Sequence, residues 1–161
     1  MLSLQKLLDM QKELDKTILE NAQIKEYPLE NIKLALLVEL GELANVWQGF
    51  KHWKKHKEIN REKLLEEFAD CLSFALSLEN QLHQSDLDIN YYVENLNPKF
   101  HESIDIMILQ FNGLFDEVCR LDNALEGVII CGLWLGITPE EMEQAYYAKN
   151  KVNYERQNNG Y

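Results

Sequence analysis

Four carboxylates stand where acidic side chains are least expected. Glu39 and Glu42 interrupt the stretch from Leu34 to Trp47, which is otherwise almost wholly apolar. On a helix, positions three apart lie about 60° from one another, on one face and one turn apart. Glu67 and Asp70 repeat that spacing in the next apolar segment, and the midpoint between the pairs falls near Lys54. If the chain reverses there, two antiparallel helices bring both pairs to the same height. Four like charges so close repel one another and raise each other's pKa unless a cation sits among them. Oxygen ligands without His or Cys favour a hard ion such as Mg²⁺, which keeps positions for water and phosphate oxygens. That is the equipment of metal-assisted phosphoryl chemistry.

The spacing alone is a weak signal, because Glu102/Asp105 and Glu140/Glu143 share it. Glu140 and Glu143 are accounted for by the helix N-terminus they occupy, and Glu102/Asp105 rank as a rival or auxiliary site. What distinguishes Glu39, Glu42, Glu67 and Asp70 is their apolar setting, since a buried carboxylate needs a partner. A di-iron bundle would need Glu-x-x-His pairs. The residues three before His52, His56, His83 and His101 are Gly49, Trp53, Asn80 and Pro98, so that chemistry is disfavoured and the histidines read as surface residues. The sequence also holds no Gly-rich phosphate loop and no nucleophile elbow.

A second constellation lies near the end of the chain. Lys149, Asn153 and Arg156 share one helix face. In a protein with 16 basic and 27 acidic residues they form a local anion site. Arg grips phosphate oxygens through paired hydrogen bonds and Lys supplies a mobile charge. The plainer reading is that cations in a last turn complement the helix dipole. Lys151 points elsewhere.

The elements that must position these groups are helices. Seven Gly and three Pro in 161 residues favour long uninterrupted segments in one domain spanning 1–161. The apolar spacing predicts a first helix over about Ser3–Leu19 and a second from Leu29 to beyond Trp47, apolar on nearly every side. A third runs over Asn60–Leu82, a fourth over Lys99–Leu121 and a fifth over Leu125–Leu135, ended by Gly136. Thr138-Pro139-Glu140-Glu141 opens a last helix with a capping box and a first-turn proline. Gln84–Pro98 reads as a polar linker and Lys51–Lys57 as a basic connection. The expected fold class is all-α, with about six helices. A helix as apolar as the second belongs at the centre of a bundle or in an oligomer interface.

The net charge of −11 disfavours nucleic acid as a partner. The longest nearly apolar stretch, Gly127–Gly136, is too short to span a bilayer, so no membrane is expected. Three cysteines without a CxxC, and no signal-peptide pattern, suit a reducing cytoplasm.

The blocks Val38-Glu39-Leu40-Gly41-Glu42-Leu43-Ala44-Asn45, Phe50-Lys51-His52-Trp53-Lys54 and Glu66-Glu67-Phe68-Ala69-Asp70-Cys71, with the tail from Tyr146 to Tyr161, resemble the dimeric dUTPases of the all-α nucleoside-triphosphate pyrophosphatases. Order and spacing agree from about Met10 to the end. The ExxE and ExxD pairs mark the wider superfamily; the C-terminal block points to dUTP. The resemblance implies hydrolysis of dUTP, and often dUDP, to dUMP by a homodimer. Glu39, Glu42, Glu67 and Asp70 would hold Mg²⁺, with Glu42 orienting or deprotonating the attacking water. Lys149, Asn153 and Arg156 would bind phosphates and sugar, Tyr161 would close over the nucleotide, and Lys54 is a weaker phosphate candidate. Met10-Gln11-Lys12-Glu13-Leu14-Asp15 resembles the motif whose amide reads uracil, which makes Gln11 the candidate. Trp53 would wall the base or sit in the core. Rejecting thymine requires a pocket too tight for one methyl. Relatives commonly continue beyond Tyr161 with a lysine. Apolar surface on the second helix, and Val128, Ile129, Ile130, Leu133 and Trp134, suit either a dimer interface or a monomer's core. Two other readings follow from the same residues: a pyrophosphatase for a different nucleotide, and a helical interaction protein without catalysis.

Overall fold

The computed structural model describes residues 3–82, 91, 94–95 and 103–160. Six helices with described bounds follow one another among the described residues: α1 (Leu4–Asn21), α2 (Leu29–Trp47), α3 (Arg61–Leu82), α4 (Ile104–Arg120), α5 (Ala124–Trp134) and α6 (Pro139–Asn158). No strand occurs among the described residues, so the all-α expectation holds.

The middle of the bundle is α3, not α2. Twelve residues of α3 are buried against four of α2, and α1, α2, α5 and α6 all pack on α3. Leu64, Phe68, Leu72 and Leu76 are each 0 % exposed. Each contributes about 1.5–3 kcal/mol of transfer free energy. The apolar circumference of α2 instead leaves Leu34 and Val38 more than half exposed. Val128, Ile129 and Leu133 of α5 fill the core, while Ile130 and Trp134 are half-buried. Gly132 lets α5 approach closely, because a Cβ there would collide with Phe68 and Met142.

The ends of the elements are set by local chemistry. Helix α2 stops at Trp47, where the sequence reading carried it further, because Gln48 takes a left-handed conformation (φ 62°) and its N–H returns to the Ala44 carbonyl. The basic connection is then knit by side chains. Gln48 Nε2 donates to Glu58 O at 2.8 Å, Lys57 Nζ to Gly49 O at 3.2 Å, and Lys54 Nζ to Gln48 Oε1. Ser103 caps α4 by accepting from Ile106 N, so that helix begins at Ile104; residues 99–102 of the expected helix lie outside the described residues. Tyr91, Glu94 and Asn95, read as linker, have helical backbone, and Asn95 Nδ2 donates to Tyr91 O one turn back. The rest of that linker lies outside the described residues.

Helix α6 begins as its sequence dictates. Thr138 Oγ1 accepts from Glu141 N at 3.2 Å, and Glu141 Oε2 accepts from Thr138 N at 2.9 Å. Arg61, at the start of α3, pairs with Glu141 at 2.6 Å and donates to Gly136 O at 2.9 Å. One guanidinium therefore ties the ends of α5 and α6 to the start of α3, and it holds the Glu141 carboxyl below its ordinary pKa. Gly136 is left-handed (φ 72°), the conformation that a helix stop needs.

Candidate active site

Antiparallel packing of α2 on α3 brings the acidic pairs together. One oxygen each from Glu39, Glu67 and Asp70 lies within 4.8 Å of the other two. Glu67 is buried, and Glu39 and Asp70 are partly so. Glu42 stands outside that trio and is exposed, but lines the same cleft. The rival residue Asp105 is exposed in the first turn of α4, and Glu102 lies outside the described residues.

The electrostatics record the crowding. Burial, with the charges of Asp70, Glu42 and Glu67, pushes Glu39 up to about 7. Two ammonium groups offset part of the repulsion. Lys149 Nζ lies 2.7 Å from Asp70, a bond between α6 and α3. Lys63 Nζ lies 2.7 Å from Glu67 and 3.0 Å from Glu66. Burial still raises Asp70, with the hydrogen bond from Lys149 opposing it. The trio supplies only carboxylate oxygen, and its mutual repulsion is relieved by a cation; both properties fit a hard divalent ion.

The same cleft, about 420 Å³, takes in Lys149, Asn153 and Arg156 from one side and Gln11 from the other. That volume falls within the usual range for small-molecule sites. Gln11 is buried on α1, as are Tyr146 and Asn150 on α6. Gln11 Nε2 donates to Asp15 Oδ1 at 2.7 Å, and Gln11 Oε1 accepts from the Tyr146 hydroxyl at 3.1 Å. Asn150 Nδ2 donates to the Tyr146 oxygen at 3.3 Å. Burial pushes Asp15 up, opposed by hydrogen bonds from Ser77 and Gln11.

The sequence profile of the dUTPase family matches residues 3–161. The chain belongs to the dUTPase family. It is a hydrolase of dUTP, from a family that works with a divalent metal, and Glu39, Glu67 and Asp70 form a candidate acidic cluster for such an ion. No curated protein matches the chain. No helix among the described residues is long and apolar enough to cross a membrane.

Within this dUTPase, Gln11, Glu39, Glu42, Glu67, Asp70, Lys149, Asn153 and Arg156 all meet at one cleft. Trp53 and Lys54 do not line it. Trp53 is 65 % exposed, so it is neither a core tryptophan nor a wall of this cleft, and Lys54 is engaged with Gln48. Tyr161 lies outside the described residues. His52 and His56 are exposed, as is Lys151. Sequence reasoning missed Lys63, Asp15, Ser77 and Tyr27 in the cleft, and Tyr146 and Asn150 behind it. For Lys63 a signal existed: it stands one helical turn before Glu67.

Proposed function

We propose that the protein hydrolyses dUTP, and also dUDP, to dUMP in a Mg²⁺-dependent reaction. The observation that carries this reading is the meeting of three inward carboxylates with Lys149, Asn153 and Arg156 in one cleft that ends at a buried amide. Glu39, Glu67 and Asp70 are the residues that would hold Mg²⁺. Bound there, the ion supplies charge neutralisation for phosphate oxygens and makes water more acidic. Glu42, exposed beside the trio, orients the attacking water and accepts its proton. Arg156 and Lys149 hold phosphate oxygens, with Asn153 between them reaching sugar or phosphate. Gln11 reads the base. Tyr161 closes over the nucleotide, as the resemblance of the tail implies.

Trp53 and Lys54 act on the nucleotide only if their connection comes to it, and their exposure leaves them available for that. The working form is a homodimer, which would cover Leu34 and Val38 on α2. The setting is the cytoplasm, consistent with Cys71, Cys119 and Cys131 all being free thiols. A panel of deoxynucleoside triphosphates and dUDP, assayed with Mg²⁺ and with EDTA, tests the reading. Turnover of dUTP and dUDP should lead, vanish with EDTA and return with Mg²⁺. If dCTP or a purine nucleotide turned over much faster than dUTP, the uracil assignment would fall. Light scattering at micromolar protein checks the dimer.

A further inference from the structure

A glutamine amide is an ambiguous reader of pyrimidines. The uracil edge offers an N3–H donor beside the O4 acceptor, whereas cytosine offers an N3 acceptor beside the N4 amino donor. A Gln side chain presents one donor and one acceptor, and turning it over by 180° exchanges them. An amide free to turn pairs with either base. Only one held in a single orientation separates them.

We infer that Asp15, Tyr146 and Asn150 are positioning residues that lock the Gln11 amide in its uracil-reading orientation. This rests on the proposed reading that Gln11 meets the base. The lock follows from hydrogen-bond direction. An Asp15 carboxylate only accepts, so the group facing it at 2.7 Å must be the Gln11 amino group. Gln11 Oε1 then faces Tyr146 and accepts, so the hydroxyl at 3.1 Å donates. Leu7 O, the other acceptor near that hydroxyl, is farther at 3.5 Å, so the single proton goes to Gln11 and the Tyr146 oxygen accepts from Asn150 at 3.3 Å. One relay thus runs toward Asp15, from α6 through Tyr146 and Gln11. Beside Asp15 the hydroxyls of Tyr27 and Ser77 share a 2.7 Å bond. Each end of the Gln11 amide keeps one hydrogen-bonding position: a second N–H and a second lone pair. Turning it would set Gln11 Oε1 against the Asp15 carboxylate and would force the Tyr146 proton off its 3.1 Å partner onto the longer 3.5 Å contact with Leu7 O. Tyr146, Gln11 and Asn150 are all at least nine-tenths buried, so water does not rescue the Tyr146 end of the reversed state.

The experiment compares kcat/KM for dUTP and dCTP in the full-length protein carrying Asp15→Asn, Tyr146→Phe, both, or Gln11→Ala. Asp15→Asn puts an amide, which donates as well as accepts, in place of the carboxylate. Tyr146→Phe removes the donating hydroxyl, so each change releases one end of the lock. The expected result is a dUTP/dCTP ratio lowered about tenfold by Asp15→Asn, less by Tyr146→Phe and most by the pair. The absolute kcat/KM for dCTP should rise. A packing defect would instead lower both substrates together, and that parallel loss in the Asp15→Asn and double variants would overturn the lock. An unchanged ratio in the double variant would overturn it too, provided Gln11→Ala changes the ratio. If Gln11→Ala leaves the ratio alone, base reading by Gln11 falls and the lock with it. If the double variant does not fold, Asp15→Asn at its half-buried position decides in the same way.

Discussion

The two ends of the cleft are built from different interactions. At one end, Glu39, Glu67 and Asp70 face Lys63 and Lys149, and charge opposes charge through ion pairs of 2.7 Å. Lys63 is about half exposed and can swing away, whereas Glu67 is buried and needs a cation, so one cation can take the place of another there. At the other end, Gln11, Tyr146 and Asn150 are joined by neutral, directional hydrogen bonds inside the core. Breaking one there leaves a buried polar group unsatisfied, at a cost of about 1–3 kcal/mol. An end that must accept an ion and a polyphosphate needs partners that can be exchanged. An end that must tell one base from another needs partners that cannot.

The largest effect expected from breaking the ionic end is that of Glu67→Gln. A neutral amide is a poor ligand for a hard ion, and the substitution also leaves Lys63 without its closer carboxylate. Activity should fall by at least about 100-fold, with the metal requirement shifted to higher Mg²⁺. Near-normal turnover would remove Glu67 from the metal site. Arg156→Ala comes next. Loss of charge-assisted hydrogen bonds should weaken a non-hydrolysable dUTP analogue by about 1.5–3 kcal/mol, with metal affinity intact. Calorimetry with the analogue checks this, and an unchanged affinity would count against the anion face.

The same contrast decides what is legible in the sequence. Acids are conspicuous in apolar helices, so Glu39, Glu67 and Asp70 stand out, and helical spacing suffices to group Lys149, Asn153 and Arg156. The base end offers no such contrast. Asp15 sits among Lys12, Glu13 and Lys16, and looks like one more surface charge until α1 packs on α3 and α6. Tyr146 and Asn150 lie in a largely polar tail, and nothing local marks them as buried. The centrality of α3 is hidden because Glu67, Ser73, Ser77 and Glu79 are polar yet buried, while Leu34 and Val38 of α2 are apolar yet exposed. Trp53 escapes a reading by residue type because large apolar side chains are usually covered. The left-handed turn at Gln48, a local event with no strong sequence mark, starts the connection that leaves it outside.

The pH dependence sharpens the comparison further. Glu39 is raised to about 7, mainly by burial and then by its acidic neighbours. Below that pH a metal ion must displace its proton, so affinity for Mg²⁺ or Mn²⁺ should fall by up to about tenfold per pH unit. Metal-free stability runs the other way. The folded state binds the extra proton between the ordinary carboxylate pKa and 7, so this group's contribution declines as pH rises through that window. Thermal melts of metal-free protein should show a lower Tm at about pH 7.5 than at about pH 5.5. Glu39→Gln should flatten the slope, and an equally steep slope in that variant would assign it elsewhere.

The smallest effect tests whether the two ends are mechanically separate. Both draw on α6, which carries Tyr146 and Asn150 for the amide end and Lys149, Asn153 and Arg156 for the ionic end. Its start is fixed by the Thr138–Glu141 box and by Arg61. Thr138→Ala removes one half of that box and should cost about 1 kcal/mol of stability, read by urea unfolding. The buried Tyr146 hydroxyl is two turns further along and is anchored by its own partners, so the dUTP/dCTP ratio should stay unchanged. Lys149 is likewise held by Asp70, and the KM for dUTP should not move. A ratio that fell while KM held would mean that the amide end borrows its rigidity from the cap. A KM that rose while the ratio held would put that dependence on the phosphate face instead. Either result would show that the helix transmits strain selectively, and the contrast between exchangeable and fixed partners would then extend beyond the cleft to the scaffold that carries them.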